Sequence, residues 1–196
     1  VLDESRYDDP EEGLKFILSP PLRAKEHQAA IWEGIKDGTL QVIATDHCSF
    51  DYHGDKQNGK DDFTKCPNGA PGVETRMPIV FSEGVSKGRM SLDKFAAVTS
   101  TNPAKIFGMY PKKGVLAVGS DADIVLMNPD MEVTITKNIL HENVDYTPYE
   151  GIQVKGWPVM TMVRGQAVVE NERLQVPLGF GRYINRKPVK YTELLK

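Results

Sequence analysis

The stretch Leu40-Gln-Val-Ile-Ala-Thr-Asp46 ends a short apolar run on an acidic residue, and its β-branched and aliphatic side chains predict a buried strand. An earlier apolar run at residues 14–18 predicts another strand, which ends before Ser19-Pro20-Pro21 because two prolines cannot continue a ladder. Between the two runs, residues 24–36 have apolar side chains at helical spacing, and Gly38 is a natural helix end. Strand, helix and strand over about 30 residues predict a βαβ unit with parallel strands.

Two polar residues, Ser19 and Asp46, directly follow the predicted strands. In parallel α/β folds the loops at the carboxyl ends of the strands carry the chemistry, so we expect both side chains to face one cavity. A carboxylate in that place can bind an ion such as zinc or move a proton, and a capping or ion-paired aspartate is the alternative for Asp46. Ser19 is equally compatible with a hydrogen bond to a ligand and with an ordinary turn.

Residues 51–72 are rich in Gly, Asp, Asn and Lys and predict a long loop, a kind of segment that is often functional in compact domains. Within this loop, Asn68-Gly69 is a turn signal. It is interpreted as a surface turn, or as a turn whose backbone faces a ligand if the loop folds over the cavity. The glycines of the loop form no phosphate-binding pattern, which argues against a nucleotide site.

The periodicity changes from helical to strand-like near residue 110. Three helical patterns follow the long loop, at residues 73–86, 91–99 and 102–109. Ser91 is suited to an N-cap, and Pro103 to the first helical position after Asn102. Alternating patterns then predict strands at residues 123–127, 132–136, 159–163 and 166–170, and Arg164-Gly165 predicts a hairpin turn. The chain thus divides into an α/β part at residues 1–110, a small β module at residues 111–178 and a basic, proline-containing arm at residues 179–196.

Composition and charge exclude several classes of protein. Of the 196 residues, 40% are hydrophobic and 26% are charged, and the net charge of −3 gives no general attraction to nucleic acid or anionic lipid. No apolar run approaches the roughly 18 residues of a membrane helix. The two cysteines form no disulfide framework, so a reduced, cytoplasmic setting is expected. The start at Val1, in an acidic stretch with proline, indicates the interior of a longer protein, with processing as the alternative.

The other side chains with metal-binding or nucleophilic potential are expected to be structural. His47, beside Asp46, is interpreted as a hydrogen-bonded structural histidine rather than a metal ligand. Cys48 and Cys66 lack the CxxC spacing of a zinc site and are interpreted as ordinary buried or partly buried thiols. The remaining histidines are expected to be solvated or non-catalytic: His27, His53 and His141.

Several motifs resemble those of dihydropyrimidinases and D-hydantoinases, members of the cyclic amidohydrolase superfamily. They occur in that family's order: Phe16-Ile-Leu-Ser-Pro-Pro-Leu-Arg23, Ala44-Thr-Asp-His-Cys-Ser-Phe50, Gly59-Lys-Asp-Asp-Phe-Thr-Lys65, Pro67-Asn-Gly69, Val98-Thr-Ser-Thr-Asn102 with Ala104-Lys-Ile-Phe107, Gly119-Ser-Asp-Ala-Asp-Ile-Val125 and Tyr149-Glu-Gly151. Many amidohydrolases share Gly-Ser-Asp-Ala-Asp, whereas the full set is specific. The resemblance runs over nearly the whole chain.

The resemblance implies the C-terminal part of a (β/α)8 metal-dependent hydrolase barrel, followed by strands of a small β-sandwich. It also implies hydrolytic ring opening of a cyclic ureide, such as a dihydropyrimidine or hydantoin, to an N-carbamoyl amino acid. Two divalent metal ions, commonly zinc, and a homotetramer of the full-length protein belong to the same expectation. The only other partner expected is the small-molecule substrate, with no nucleic acid and no membrane.

Three residues match functional positions of the resembling family. Asp46 matches the aspartate that ligates one metal, takes a proton from the attacking water and passes it to the leaving nitrogen. Ser19 matches the serine that hydrogen-bonds the ring, and Asn68 matches the asparagine whose backbone contacts the same ring. The family's His-x-His pair, carboxylated lysine and two further histidines have no match in this chain. We therefore expect the chain alone to be inactive and to bind catalytic metal poorly.

A non-catalytic protein is the alternative interpretation. Collapsin-response mediator proteins share most of these motifs but lack the catalytic aspartate, so the presence of Asp46 favours the enzyme branch. Dihydroorotases and allantoinases usually have asparagine before the two prolines, where this chain has Ser19. An oligomer-forming homologue of the mediator type, or an inactive truncated product, stays open at this point.

Overall fold

The computed structural model describes residues 1–189, so the last part of the predicted arm lies outside the described residues. The α-helices are α1 (His27–Asp37), α2 (Arg76–Val80), α3 (Leu92–Ala96) and α4 (Asn102–Ile106). Two π-helical segments continue α2 and join α3 to α4, at Phe81–Ser86 and Ala97–Thr101. Short 3-10 helices lie at Glu4–Asp8, Gly13–Phe16, Lys56–Gly59, Phe63–Lys65 and Lys137–Ile139. None of the helices among residues 1–189 combines the length and apolar character that a membrane crossing requires.

The β module is one antiparallel sheet with its strands in chain order. The strands are β1 (Ile124–Thr134), β2 (Gln153–Val163), β3 (Gln166–Glu170) and β4 (Arg173–Leu174). The hairpin predicted at Arg164-Gly165 is confirmed, since both residues have positive φ (54° and 78°) and join β2 to β3. Two predicted strands are merged into β1, whose register against β2 shifts between Asn128 and Glu132 around Pro129, a residue that cannot donate to a ladder.

The two parallel strands predicted near the start of the chain are absent from the described residues. Residues 13–16 form a 3-10 helix, and residues 41–50 run without assigned secondary structure. The main-chain groups of residues 41–43 bind the helical region instead of another strand: Ile43 N donates to Val98 O (3.1 Å), and the Asn102 amide donates to Gln41 O (2.8 Å). Paired parallel strands are therefore not formed within residues 1–189, and of the predicted βαβ unit the helix, α1, is confirmed.

The helix ends follow local chemistry in two cases and not in a third. Gly38 closes α1 in the left-handed region (φ 90°), and the Ser91 hydroxyl accepts a hydrogen bond from Lys94 N (3.2 Å), as predicted. Asn102 is not an N-cap. It has helical torsion angles, because a π-helical segment makes residues 92–106 one continuous helical run, and its side chain reaches Gln41 instead.

Helix α2 separates two apolar cores. The first contains Ile35, Val80, Phe81, Met90, Phe95 and Val98, and the second contains Ile79, Ile135, Leu140, Val154 and Trp157. Because neighbouring residues of α2 enter different cores, the helix fixes the sheet relative to α1 and α3. Gly156 (φ 101°) lets β2 approach the ring of Phe81, since a Cβ there would lie 2.2 Å from that ring.

Candidate active site

Three segments carry the residues singled out from the sequence, and hydrogen bonds join them. We call residues 17–19, 46–48 and 67–70 the site segments. Gly69 N donates to Ile17 O (3.1 Å), and Cys48 N donates to Ala70 O (3.3 Å). Ser19, Asp46 and Asn68 each lie within two residues of one of these bonds, and all three are exposed. The structure thus brings the three predicted site residues to one neighbourhood, at the surface of the described chain.

Gly69 permits the closest approach between two site segments. Its φ is 154°, and a Cβ there would lie 2.3 Å from Cys48 O and 2.9 Å from Cys48 Cβ. Any side chain would therefore push the second and third site segments apart. The turn signal Asn68-Gly69 is explained by this contact, which the sequence could not specify.

Asp46 has a left-handed backbone conformation, with φ 47°. Aspartate tolerates this region better than most residues, but the conformation persists only where the surroundings fix it. Both following residues are held: His47 N donates to Thr45 Oγ1 (3.3 Å), and Cys48 N donates to Ala70 O. The exposed carboxylate of Asp46 is thereby presented from a turn that is anchored on its C-terminal side.

His47 anchors that turn to the segment that leads into α2. Its Nδ1 accepts hydrogen bonds from Gly72 N (3.1 Å) and Val73 N (3.3 Å). A ring nitrogen that accepts carries no proton, so the hydrogen resides on Nε2. Glu142 Oε1 lies 3.8 Å from Nδ1, but the pair is not an ion pair for the same reason. The hydrogen bonding expected of His47 is confirmed.

Lys56 is the feature that sequence reasoning missed. Its side chain is fully buried, and its Nζ donates to Ile17 O (2.7 Å) and Pro67 O (2.8 Å). Burial lowers the pKa of this ammonium from its usual value. Nothing in the polar stretch 51–72 distinguishes Lys56 from the exposed Lys60, because the acceptors are main-chain carbonyls of other segments.

A family model for the amidohydrolase family matches residues 9–168. The chain belongs to the amidohydrolase family. The family resemblance inferred from the motifs is confirmed by this match and by the similarity to hydantoinases.

Relatives of this amidohydrolase include hydantoinases and dihydropyrimidinases. It is 47% identical to the D-hydantoinase of Geobacillus stearothermophilus over 196 residues, which are 100% of this chain and 41% of that relative. It is 47% identical to a D-phenylhydantoinase of Escherichia coli (O1:K1 / APEC) over 188 residues, 96% of this chain and 41% of the other. The crystal structure of dihydropyrimidinase from Brevibacillus agri superimposes with a TM-score of 0.95 at 49% identity, covering 97% of this chain and 41% of that one. The chain therefore spans about two fifths of the length of these proteins.

The described residues of this amidohydrolase chain offer few grouped metal donors. Within residues 1–189, no three His, Cys, Asp or Glu side chains are grouped so that they could hold a metal ion. Asp46 offers one carboxylate, and His47 has its Nδ1 occupied by two N–H donors. Because zinc takes about four ligands, the described residues do not fit a complete metal centre.

The cysteines of the amidohydrolase chain contribute packing. Cys66 is buried, its Cβ lies against Gly59, and burial raises the pKa of its thiol, so the thiol stays protonated near neutral pH. Cys48 is exposed, so the expectation that it is buried or partly buried is wrong. It lies in the turn after Asp46, where its main-chain carbonyl lies against Gly69. The interpretation of Cys66 as an ordinary buried thiol is confirmed.

His141 links the helical part of the amidohydrolase chain to its sheet. The Nδ1 atom lies 2.6 Å from Glu74 Oε1, and Nε2 lies 2.8 Å from Glu172 O in the turn between β3 and β4. The hydrogen bond to Glu74 raises the pKa of His141. Its contacts are those of a structural bridge between the segment before α2 and the β3–β4 turn.

Proposed function

We propose that this chain is part of a cyclic amidase of the hydantoinase or dihydropyrimidinase type, which opens cyclic ureides to N-carbamoyl amino acids. The observation that carries the proposal is the pair of hydrogen bonds, Gly69 N to Ile17 O and Cys48 N to Ala70 O, that joins the three site segments. Residues 19, 46 and 68 are far apart in sequence, yet each lies within two residues of one of these bonds. The relatives named D-hydantoinase, D-phenylhydantoinase and dihydropyrimidinase support the same substrate class.

Asp46 is assigned the proton transfer. A carboxylate at this place accepts a proton from the attacking water and returns it to the ring nitrogen as the C–N bond breaks. The two protons on water are thus accounted for: one moves through Asp46 to the leaving nitrogen, and the other stays with the new carboxylic acid. The left-handed turn and its anchors at His47 and Cys48 hold the carboxylate at the exposed edge of the site.

Ser19 and Asn68 are assigned to ring binding. The cyclic ureide presents alternating C=O and N–H groups, and a hydroxyl together with main-chain groups can match such an edge. The Ser19 hydroxyl and the main chain of Asn68 lie on site segments that Gly69 joins directly through Ile17. These contacts orient the scissile amide relative to Asp46.

The metal requirement of the proposed enzyme extends beyond this chain. Following the family resemblance, we assign it two divalent ions, zinc by preference, with Asp46 as one ligand and with a carboxylated lysine among ligands that the described residues do not supply. Such ions lower the pKa of bound water toward ~7 and polarise a carbonyl group. On this proposal the 196-residue chain alone is inactive and binds the metals poorly.

The domain organisation that we propose also follows from the family resemblance. Residues 1–110 are proposed as the last βα units of a (β/α)8 barrel, residues 111–178 as the C-terminal part of a β-sandwich, and residues 179–196 as an arm. The arm is proposed to contact a neighbouring subunit in a homotetramer of the full-length protein, in the cytoplasm. Light scattering of the full-length protein tests the assembly, and a monomer would contradict it.

The decisive experiment compares Asp46→Asn with Asp61→Asn in the full-length enzyme that contains this chain. Turnover of dihydrouracil and of substituted hydantoins is measured together with metal content. We expect Asp46→Asn to lose about a thousandfold or more in kcat, as removal of a general base does, while the exposed Asp61 control keeps its activity. No ring opening by the unaltered enzyme would favour the alternative, a non-catalytic oligomer-forming homologue.

A further inference from the structure

Lys56 is buried at the junction of two site segments, with its ammonium bound to two main-chain carbonyl groups. The acceptors are Ile17 O (2.7 Å) and Pro67 O (2.8 Å), and the Phe50 ring centroid lies 6.0 Å from Nζ. Ile17 O also accepts the hydrogen bond from Gly69 N. Ile17 O therefore accepts two hydrogen bonds, and the ammonium of Lys56 connects the first site segment to the third.

The carbonyl of Pro67 belongs to the peptide group whose N–H is that of Asn68. This peptide is trans, so its C=O and N–H point in opposite directions. When Lys56 binds Pro67 O from the protein interior, the Asn68 N–H is turned away from Lys56. The lysine thus sets the direction of the main-chain donor next to the candidate ring-binding residue.

The backbone of Lys56 is itself fixed relative to the third site segment. Lys56 N donates to Asp51 O (3.0 Å), and the lysine opens the 3-10 helix Lys56–Gly59. Gly59 packs directly on Cys66, since a Cβ at Gly59 would lie 2.4 Å from Cys66 Cβ. The Lys56 backbone is therefore held in place by its own contacts. The position of the ammonium then sets the spacing between Ile17 and Pro67.

Burial of an ammonium is costly, and the neighbouring Lys60 and Lys65 are exposed. Charge-assisted hydrogen bonds to two carbonyl groups offset part of that cost. A buried apolar side chain of similar length would fill the same space without the desolvation penalty. The lysine fixes the direction of two carbonyl groups. An apolar side chain would remove this donor from Pro67 O and would leave Ile17 O with Gly69 N as its donor.

We propose that Lys56 is a positioning residue for substrate, which orients the Asn68 main chain and holds it at the working distance from Ser19. The proposal rests on the proposed function, in which these two residues bind the cyclic ureide. Lys56 does not touch the substrate, and it acts through the carbonyl groups of Ile17 and Pro67.

The test compares Lys56→Met with the exposed control Lys60→Met in the full-length enzyme, with a hydantoin as the probe. We expect Lys56→Met to raise KM about tenfold with kcat within about twofold and metal content unchanged, because the ring-binding groups move while Asp46 does not. We expect Lys60→Met to match the parent enzyme. A Lys56→Met enzyme with a lower Tm and an unchanged KM would overturn the proposal, since that pattern shows a purely structural lysine.

A second variant covers the case in which Lys56→Met does not fold. Gly59→Ala pushes Cys66 and the adjoining Pro67 without removing the ammonium, so a raised KM supports the positioning role and an unchanged KM overturns it. Ser19→Ala and Asp46→Asn distinguish a failure of the proposed cyclic amidase function from a failure of the positioning role of Lys56. If both keep full turnover, the proposed function fails; if they lose it while Lys56→Met and Gly59→Ala bind substrate normally, only the positioning role fails.

Discussion

The sheet and the site segments differ in where their main-chain groups find partners. Strands β1 to β3 pair with their sequence neighbours along most of their length, and one face covers a core that contains Ile135 and Trp157. The site segments are extended or turning chain, held by single hydrogen bonds and by the buried Lys56. The sheet is therefore held by many repeated main-chain hydrogen bonds, whereas the site segments depend on a few specific contacts.

The two regions also differ in how far apart in sequence their contacting residues lie. Hairpin partners lie close in sequence, so alternation and a turn signal suffice to predict them. The partners of the site segments lie far along the chain, as with Lys56 and Ile17, and no periodicity encodes them. We therefore expect the sheet to keep its structure in the isolated 196-residue chain. The structure of the site segments should change when any of their few contacts is altered.

The largest expected difference is in hydrogen exchange of the 196-residue chain. Amides of β2 that pair with β1 should exchange about a thousandfold more slowly than amides of residues 44–47, since local opening energies range from about zero to the global value. Exchange measured by mass spectrometry checks this. In the full-length enzyme, the proposed barrel would pair residues 40–45 and raise their protection. Equal protection of both regions in the isolated chain would contradict the comparison.

The second effect is the loss of a core side chain on the sheet side. Ile135 is 0% exposed, so Ile135→Ala removes buried apolar surface and leaves a cavity, and we expect the free energy of unfolding to fall by about 2–5 kcal/mol. Ile31 is 51% exposed, and Ile31→Ala is the matched control, with an expected change within about 0.5 kcal/mol. Urea unfolding followed by circular dichroism gives both values. Similar losses for both variants would show that the sheet-side core is not the main source of stability.

The third effect is on the site rather than on the fold. Gly69→Ala would place a Cβ 2.3 Å from Cys48 O, so the second and third site segments must separate, and we expect kcat/KM of the full-length enzyme to fall about a hundredfold. Gly88 also has a positive φ (69°) but open space around its Cβ position. Gly88→Ala therefore has backbone strain without a clash, and its activity should stay near that of the parent. Equal activity losses would mean that strain, not the close approach, is responsible.

Sequence reasoning succeeded where the determining contacts are local. Strand β3 was predicted at residues 166–170, the bounds that the structure has, because alternation and the Arg164-Gly165 turn are both short-range signals. The N-cap at Ser91 and the helix end at Gly38 were predicted for the same reason. Asn102 failed as a cap because the π-helical segment Ala97–Thr101 makes one helical run of two.

The site was predicted in part, and the missing part is non-local. Ser19, Asp46 and Asn68 were singled out by position and by resemblance, and their segments do meet, but the route differs from the prediction. No parallel strands align them in the described residues; Gly69, Ala70 and Lys56 make the connections instead. A buried lysine bound to carbonyl groups of other segments has no sequence signal, so only the three-dimensional structure reveals it.

The smallest expected effect is the pH dependence of the link between the helical part and the sheet. Glu74 raises the pKa of His141 above the ordinary value of about 6.5, so the bond stabilises the fold fully below that pH and loses its effect as pH rises through the raised pKa. The His141 side chain is 49% exposed, and water screening limits the effect to less than about 1 kcal/mol. We expect Glu74→Gln to lower the free energy of unfolding more at pH 6 than at pH 9, while the exposed control Glu11→Gln shows no such difference. A pH-independent effect of Glu74→Gln would mean that its bond to His141 N, rather than the charged pair, holds β3 and β4 against the segment before α2.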